Sequence, residues 1–148
     1  MNELDLRIRN HAYASFVRDG RAPAAADSAA HFGLSEEEAA QSYLRLHDAH
    51  ALVLEPGTTT IRMLNPFSAV ETPHRVESGG RSWFANCAWD ALGIPAALHA
   101  DGRIVSLCPD CEEPLELEVR DGELTRGADL LVHFVVPARH WWDDIAFT

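Results

Sequence analysis

Residues 83–95 of the chain have the sequence WFANCAWDALGIP, and this segment decides the predicted fold. It predicts the end of a strand followed by a short buried helix, which Gly93 and Pro95 end. Cys87 and Asp90 are three residues apart, so they would share one face of that helix. A thiol that could act as a nucleophile would therefore lie beside a carboxyl group that could carry a proton.

The other two cysteines, Cys108 and Cys111, follow about one hairpin later in the sequence CPDC. This spacing is half of a common zinc motif, but a structural zinc site usually has four ligands and the chain has no second pair. Cys87 could be a third ligand, with Asp90, Asp110 or a histidine as a fourth. Alternatively, Cys87 is a small apolar filler and the other two are ordinary thiols of a turn. We expect all three thiols to converge on one pocket.

Length, composition and cysteine count indicate a globular protein. The 148 residues are 47% hydrophobic and 24% charged, which suits one domain or two small lobes that share an interface. No apolar run approaches the roughly 18 residues of a membrane span, and the first residues lack the basic flank and apolar core of a signal peptide. We therefore expect a cytoplasmic protein whose three cysteines stay reduced.

The acidic balance of the chain limits its partners. With 23 acidic and 12 basic residues the formal net charge is -11, which repels phosphate backbones and anionic membranes. We expect no nucleic-acid and no membrane partner, while the sequence predicts no oligomeric state.

The first 64 residues predict three helices and a β-hairpin, the outline of a winged-helix lobe. Apolar residues four apart indicate a helix over 4–17, and an alanine-rich stretch indicates a second over 22–32. Ser35 and Glu38 form a capping box that begins the third helix. Two β-prone runs about the turn at 55–57 complete the outline.

DNA binding is one reading of this outline, and a helical lobe that packs against the rest of the chain is the other. A DNA reader uses its third helix to bring basic and amide side chains to the bases and phosphates. Here that helix begins with three glutamates, residues 36–38, and offers only Gln41 and Arg45. We therefore expect no DNA binding.

The remaining residues predict a β-rich lobe with one inserted helix. Prolines interrupt regular structure in 65–73, which we interpret as a linker, so the second lobe spans 74–148. An apolar strand is expected at 130–136 and a short tryptophan-rich helix or turn at 139–145. The predicted class is α+β, a three-helix winged-helix-like lobe followed by a β-rich lobe with the Cys87 helix. Hairpins are expected at 74–84, 96–107 and 115–125.

Residues 81–98, RSWFANCAWDALGIPAAL, resemble the active-site segment of the alkylmercury (organomercurial) lyases. In that family a tyrosine or tryptophan precedes Cys-Ala-x-Asp, and an Ile/Phe-Pro-Ala-Leu run follows. The family also has an N-terminal winged-helix-like lobe without DNA function. It has a third cysteine at the end of the next hairpin, which Cys108 matches, and an apolar strand ending in proline, which 131–137 matches. The resemblance is specific over 81–111 and diffuse over most of the rest.

This resemblance implies roles for particular residues. In the family, the first cysteine and a second, C-terminal cysteine bind mercury as thiolates, while the aspartate handles the proton delivered to the departing carbon. Cys87 and Asp90 match the first and last of these roles. Counting without gaps, the second cysteine falls on Thr148, and we expect the family's following strand and helices to be missing. Cys108 or Cys111 would then substitute, and the family pattern does not require Cys111.

The resemblance thus implies lyase chemistry on an organomercurial or other soft electrophile, by thiolate capture and protonolytic carbon-metal cleavage. Cys87 would be the nucleophile and Asp90 the proton relay. No cofactor is required, although Cys87, Cys108 and Cys111 could bind mercury, zinc or copper through soft thiolates. Three alternatives stay open: a non-catalytic metal-thiolate protein, a family member repurposed for a small organic substrate in biosynthesis, and a metal-responsive winged-helix regulator.

Overall fold

The computed structural model describes residues 1–145, and over these residues the fold is α+β, as the sequence predicts. The helices are α1 (Glu3–Asp19), α2 (Ala25–Phe32), α3 (Glu36–Asp48) and α4 (Ala88–Leu98), with a short 3-10 helix at Ala138–Asp143. The strands are β1 (Val53–Leu54), β2 (Ile61–Leu64), β3 (Phe67–Ser68), β4 (Arg75–Ser78), β5 (Arg81–Ala85), β6 (Gly102–Leu107), β7 (Pro114–Arg120) and β8 (Glu123–Arg126).

All three predicted N-terminal helices are present. Asn2 caps α1 and Ser35 caps α3, because each side chain accepts the backbone N–H three residues further on. Ile8, Ala12 and Phe16 lie four residues apart on the buried face of α1. They belong to a core that also includes apolar residues of α2, α3 and the sheet.

A buried ion pair joins α1 to α3. The Asp5 carboxylate is fully buried and accepts hydrogen bonds from Arg45 Nη2 at 2.7 Å, Ser42 Oγ at 2.6 Å and the Asn2 backbone N–H at 2.8 Å. Burial by itself raises the pKa of Asp5, but these hydrogen bonds outweigh it and lower the pKa from 3.8 to about 2. Asp5 is therefore ionised at neutral pH.

The eight strands of the described residues form one antiparallel sheet in the order β1-β2-β3-β5-β4-β6-β7-β8. β1 and β2 come from the first 64 residues, and β3 joins them to β5. β3 itself falls within 65–73, the predicted linker. The division into lobes at 1–64 and 74–148 stays a prediction, in a molecule whose sheet is continuous across it.

Helix α4 covers one face of the central strands β4, β5 and β6. Trp83 and Ile104 are buried on that face, and Gly102 lies where the helix comes closest. A Cβ atom at Gly102 would be 2.6 Å from Cγ of Pro95 in α4. Only glycine permits this contact without a shift of the helix or the strand.

The predicted end of the central helix is wrong. Gly93 and Pro95 lie inside α4, which continues to Leu98 and ends at His99 in the left-handed conformation. Residues 96–99 therefore do not form a strand, and the 96–107 hairpin is replaced by α4 followed by β6. The reason is packing: Pro95 is buried against β6, and this burial offsets the hydrogen bond that a proline removes. The 74–84 and 115–125 hairpins are found, as β4–β5 and β7–β8.

The predicted apolar strand at 130–136 is also wrong. This segment is irregular, with Leu131 94% and Val135 75% exposed. The Phe134 ring instead contacts Trp89 at the start of α4 and Trp141 of the 3-10 helix, with centroid distances of 6.2 and 5.0 Å. An apolar sequence forms a strand only beside a partner strand, and the ladder of the described sheet ends at β8.

Two further features bear on the predictions. The tryptophan-rich segment forms the expected helical turn at Ala138–Asp143, and Thr148 lies outside the described residues. Among residues 1–145, no helix combines the length and apolar character needed to cross a membrane.

Candidate active site

Cys87 lies at the N-cap of α4, directly after β5 brings the chain to the end of the sheet. Its sulfur accepts the Asp90 backbone N–H at 3.4 Å. The thiol therefore lies at the positive end of the helix dipole, a position that stabilises a thiolate.

Asp90 is three residues further on, in the first turn of α4, and the structure places its side chain beside Cys87. The Asp90 carboxyl group lies close enough to the Cys87 thiol for each to shift the pKa of the other, and Asn86 Nδ2 donates to Asp90 Oδ2 at 3.1 Å. The carboxyl group is thus held by an amide donor and lies next to the thiol that the sequence predicts as nucleophile.

Both groups bind their protons more tightly than in water. Burial raises the pKa of the Cys87 thiol; the Asp90 carboxylate adds to this, and the backbone N–H groups oppose it. Burial likewise raises the pKa of Asp90, although the hydrogen bonds from Asn86 and Cys87 oppose the rise. The site can therefore retain a proton between sulfur and carboxylate.

Cys108 and Cys111 form a separate pair in the tight turn between β6 and β7. The turn is closed by Cys108 N–H to Glu113 O and Glu112 N–H to Cys108 O, both at 2.9 Å. The backbone N–H groups of Cys111 and Asp110 lower the pKa of the Cys108 thiol, as does the Cys111 thiol. The Cys108 thiol therefore ionises at a lower pH than an ordinary cysteine.

The strand register relates the two thiol groups. Phe84 of β5 and Val105 of β6 both pair with Arg75 of β4, so the two outer strands run in the same direction and end at the same level. Cys87 lies three residues after Phe84, and Cys108 lies three residues after Val105. Two strand spacings correspond to about 10 Å between the backbones of β5 and β6.

His74 occupies the gap between the two thiol-bearing strand ends. Its backbone carbonyl accepts the Ala85 N–H at 2.9 Å, and its Nδ1 is 2.7 Å from Ser106 Oγ. Within residues 1–145, no three His, Cys, Asp or Glu side chains are grouped as metal ligands. The structure thus brings Cys87 to Asp90 and Cys108 to Cys111, and a centre shared by all three thiols stays a prediction.

Sequence reasoning missed the polar residues that surround the pair. Asn86 precedes Cys87 and holds Asp90, and Asn65 accepts from Asn86 Nδ2 at 2.9 Å. The position of Asn86 next to the predicted nucleophile was a signal that could have found it. Asn65 and His74 lie elsewhere in the sequence, and only the tertiary structure brings them here.

Fold and site together define an α+β protein with a thiol-carboxyl pair at the N-terminus of a helix that packs on one face of the sheet. The sequence profile of the alkylmercury lyase family matches residues 67–148, more than half of the chain, and the chain therefore belongs to that family. The resemblance seen in residues 81–98 is thereby confirmed.

A solved structure supports the same relationship. The chain is similar to the crystal structure of the mercury-bound form of MerB2, with a TM-score of 0.69 and 28% sequence identity over 85% of this chain. The chain spans 60% of the length of that protein. None of the curated proteins matches the chain.

Proposed function

We propose that the protein captures an organomercurial on Cys87 and cleaves its carbon-mercury bond with a proton delivered by Asp90. The observation that carries this proposal is the position of the Asp90 carboxyl group beside the Cys87 thiol at the start of α4, where the Asp90 backbone N–H also donates to the Cys87 sulfur at 3.4 Å. Membership of the alkylmercury lyase family and similarity to a mercury-bound structure support mercury as the element handled.

The proposed reaction balances with the groups of the site alone. The Cys87 sulfur bonds to the mercury of R–Hg–X, while its proton passes to the Asp90 carboxylate. Asp90 then protonates the carbon as the carbon-mercury bond breaks, which releases R–H and leaves mercury on the Cys87 sulfur with X. Asp90 returns to its ionised state, so one thiol proton is consumed for each hydrocarbon formed.

The burial of the pair suits this sequence of steps. A carboxyl group whose pKa is raised by burial holds the transferred proton for longer than a solvated carboxylate would. The helix N-terminus stabilises negative charge on sulfur while the thiol proton is away. The same environment thus supports both capture and protonation.

Cys108 or Cys111 is the proposed accessory thiolate. It would take the role of the family's second cysteine, whose position falls on Thr148 when counted without gaps. Mercury is soft and prefers thiolate ligands, and the backbone N–H groups of Cys111 and Asp110 lower the pKa of the Cys108 thiol. Its strand ends level with that of Cys87. An accessory thiol would lose its proton to solvent and, as the thiolate, replace X on mercury, so that X leaves as the free anion.

A second candidate function follows from the same turn. In a non-catalytic metal-thiolate protein, Cys108 and Cys111 would hold zinc, copper or mercury, and Cys87 would be a further ligand. The backbone N–H groups around Cys108 favour this reading, because they lower the pKa of its thiol and so stabilise the thiolate. Metal analysis of protein purified without chelator tests it: about one metal ion per chain, lost in Cys108→Ser, is the expected result.

Capture and release, assayed side by side, test the lyase proposal. With phenylmercury as substrate, Asp90→Asn should still bind the mercurial but release no benzene, because capture needs the thiolate and release needs the proton. Cys87→Ser should lose both activities. The exposed Asp129→Asn is the matched control and should keep both.

The contrary result is equally specific. If Asp90 only stabilises the fold, Asp90→Asn loses a buried hydrogen bond worth about 1–3 kcal/mol. Both assays would then fall together, in step with the melting temperature.

A further inference from the structure

The hydrogen bonds around Asp90 continue beyond the site to helix α1. From them we infer that Asn86 is a positioning residue, which holds the Asp90 carboxyl group against the Cys87 thiol during proton transfer. This inference rests on the proposed function, because it concerns the same carboxyl group.

The amide of Asn86 has one determined orientation. Its Nδ2 donates to Asp90 Oδ2 at 3.1 Å and to Asn65 Oδ1 at 2.9 Å, so both amide hydrogens are used. Its Oδ1 is buried and has no partner among the described residues. A buried acceptor without a partner costs free energy, so the two bonds made by the nitrogen must outweigh that cost.

Asn65 is itself held firmly, so it can orient Asn86. The Tyr13 hydroxyl of α1 donates to the Asn65 backbone carbonyl at 2.7 Å. The next residue, Pro66, packs against α4 so closely that a Cβ atom at Gly93 would lie 3.3 Å from Pro66 Cβ. Asn65 is therefore anchored to both helices, and Asn86 extends that anchor to Asp90.

The consequence for Asp90 is both geometric and electrostatic. With Oδ2 held by Asn86, rotation of the carboxyl group away from the thiol breaks a hydrogen bond. Donation from the amide also favours the ionised carboxyl group, which is the form that accepts the thiol proton. The Asn86 amide donates to Asp90 Oδ2, so its effect on the reaction passes through Asp90.

The test follows the titration of Asp90 directly, by NMR of the ¹³C-labelled carboxyl group in the full chain. Asn86→Leu keeps the approximate volume but removes the donor, so the Asp90 titration midpoint should rise by about one pH unit. The single-turnover rate of benzene release from phenylmercury should fall about tenfold at unchanged mercurial binding. Asn86→Gln restores a donor on a longer arm and should recover part of both effects.

The exposed Asn10→Leu on α1 is the matched control and should change neither quantity. An Asp90 midpoint that is the same in folded Asn86→Leu and in the unaltered protein overturns the inference. If Asn86→Leu does not fold, Asn65→Ala removes only the acceptor that orients Asn86, and an unmoved midpoint in that variant overturns it too. If the midpoint rises but the unaltered protein releases no benzene, the lyase proposal fails and the positioning of Asp90 by Asn86 stands.

Discussion

Replacing Asp5 by asparagine tests how the helices that support the site are held together. The pKa of Asp5 is lowered from 3.8 to about 2 in the folded protein, and each pKa unit corresponds to about 1.4 kcal/mol. The ionised carboxylate therefore contributes about 2.5 kcal/mol to the free energy of unfolding at neutral pH. Arg45 is 41% exposed, so it remains hydrated when its partner loses its charge. We expect Asp5→Asn to lose about 2 kcal/mol at pH 7.

The pH dependence makes the prediction specific. A carboxyl group with a lowered pKa stabilises the fold above pH 4, and this contribution is lost as the pH falls towards 2. Urea unfolding of the unaltered protein and Asp5→Asn should therefore differ at pH 7 and nearly converge near pH 2, where about half of the Asp5 carboxyl groups are protonated in the folded protein and most of the contribution is lost. Asp129→Asn, which changes an exposed residue, should have the same free energy of unfolding as the unaltered protein at both pH values. A difference for Asp5→Asn that is equal at both pH values would refute the reasoning.

Two further predictions concern the thiols and the contact beneath α4. At pH 7.5 iodoacetamide should modify Cys108 before Cys87. The reason is that backbone N–H groups lower the pKa of Cys108, while burial raises the pKa of Cys87. Peptide mapping that finds Cys87 modified as fast as Cys108 would contradict this prediction. Gly102→Ala should lower the free energy of unfolding by about 1–3 kcal/mol, because its Cβ would meet the Pro95 ring. Urea unfolding in a Pro95→Ala background, where that ring is gone, should show most of the loss recovered.

The N-terminal helices were predictable from sequence because their signals are local. Apolar residues four apart and polar caps with carboxylates three residues later act within a single helix, and the structure contains those helices. The hairpins at Gly79-Gly80 and Asp121-Gly122 were predictable for the same reason, since each turn has residues in the left-handed conformation that such turns require.

Elements decided by tertiary contacts were not predictable in this way. A proline normally ends a helix, but the ring of Pro95 is buried against Gly102 of β6. The sequence near residue 95 does not indicate that this strand packs against the helix. Residues 130–136 have the composition of a strand, yet a strand also needs a neighbour, which the local sequence cannot provide. Asn65 and His74 are remote in sequence from Cys87, and the sheet brings them to the same end of the molecule.

The start of α4 shows why the spacing of Cys87 and Asp90 carries chemical meaning. In the three N-terminal helices, the carboxylate at the third helical position accepts the backbone N–H of the cap residue: Asp5 from Asn2, Asp27 from Ala24 and Glu38 from Ser35. Asp90 occupies the same position in α4 but lies beside the Cys87 thiol and accepts from the Asn86 amide.

The Asp90 carboxylate thus lies against a thiol and does not cap the helix backbone. The N-cap acceptor is the Cys87 sulfur, which accepts more weakly than the hydroxyl or amide oxygens usual at an N-cap. The helix loses part of its capping stabilisation, and the site gains a proton acceptor that is fixed beside its nucleophile. The three-residue spacing was interpreted from sequence as one face of a helix, whereas the structure realises it as a cap and its third residue. In both geometries the thiol and the carboxyl group meet, which is why Cys87 and Asp90 could be paired before the exact start of the helix was known.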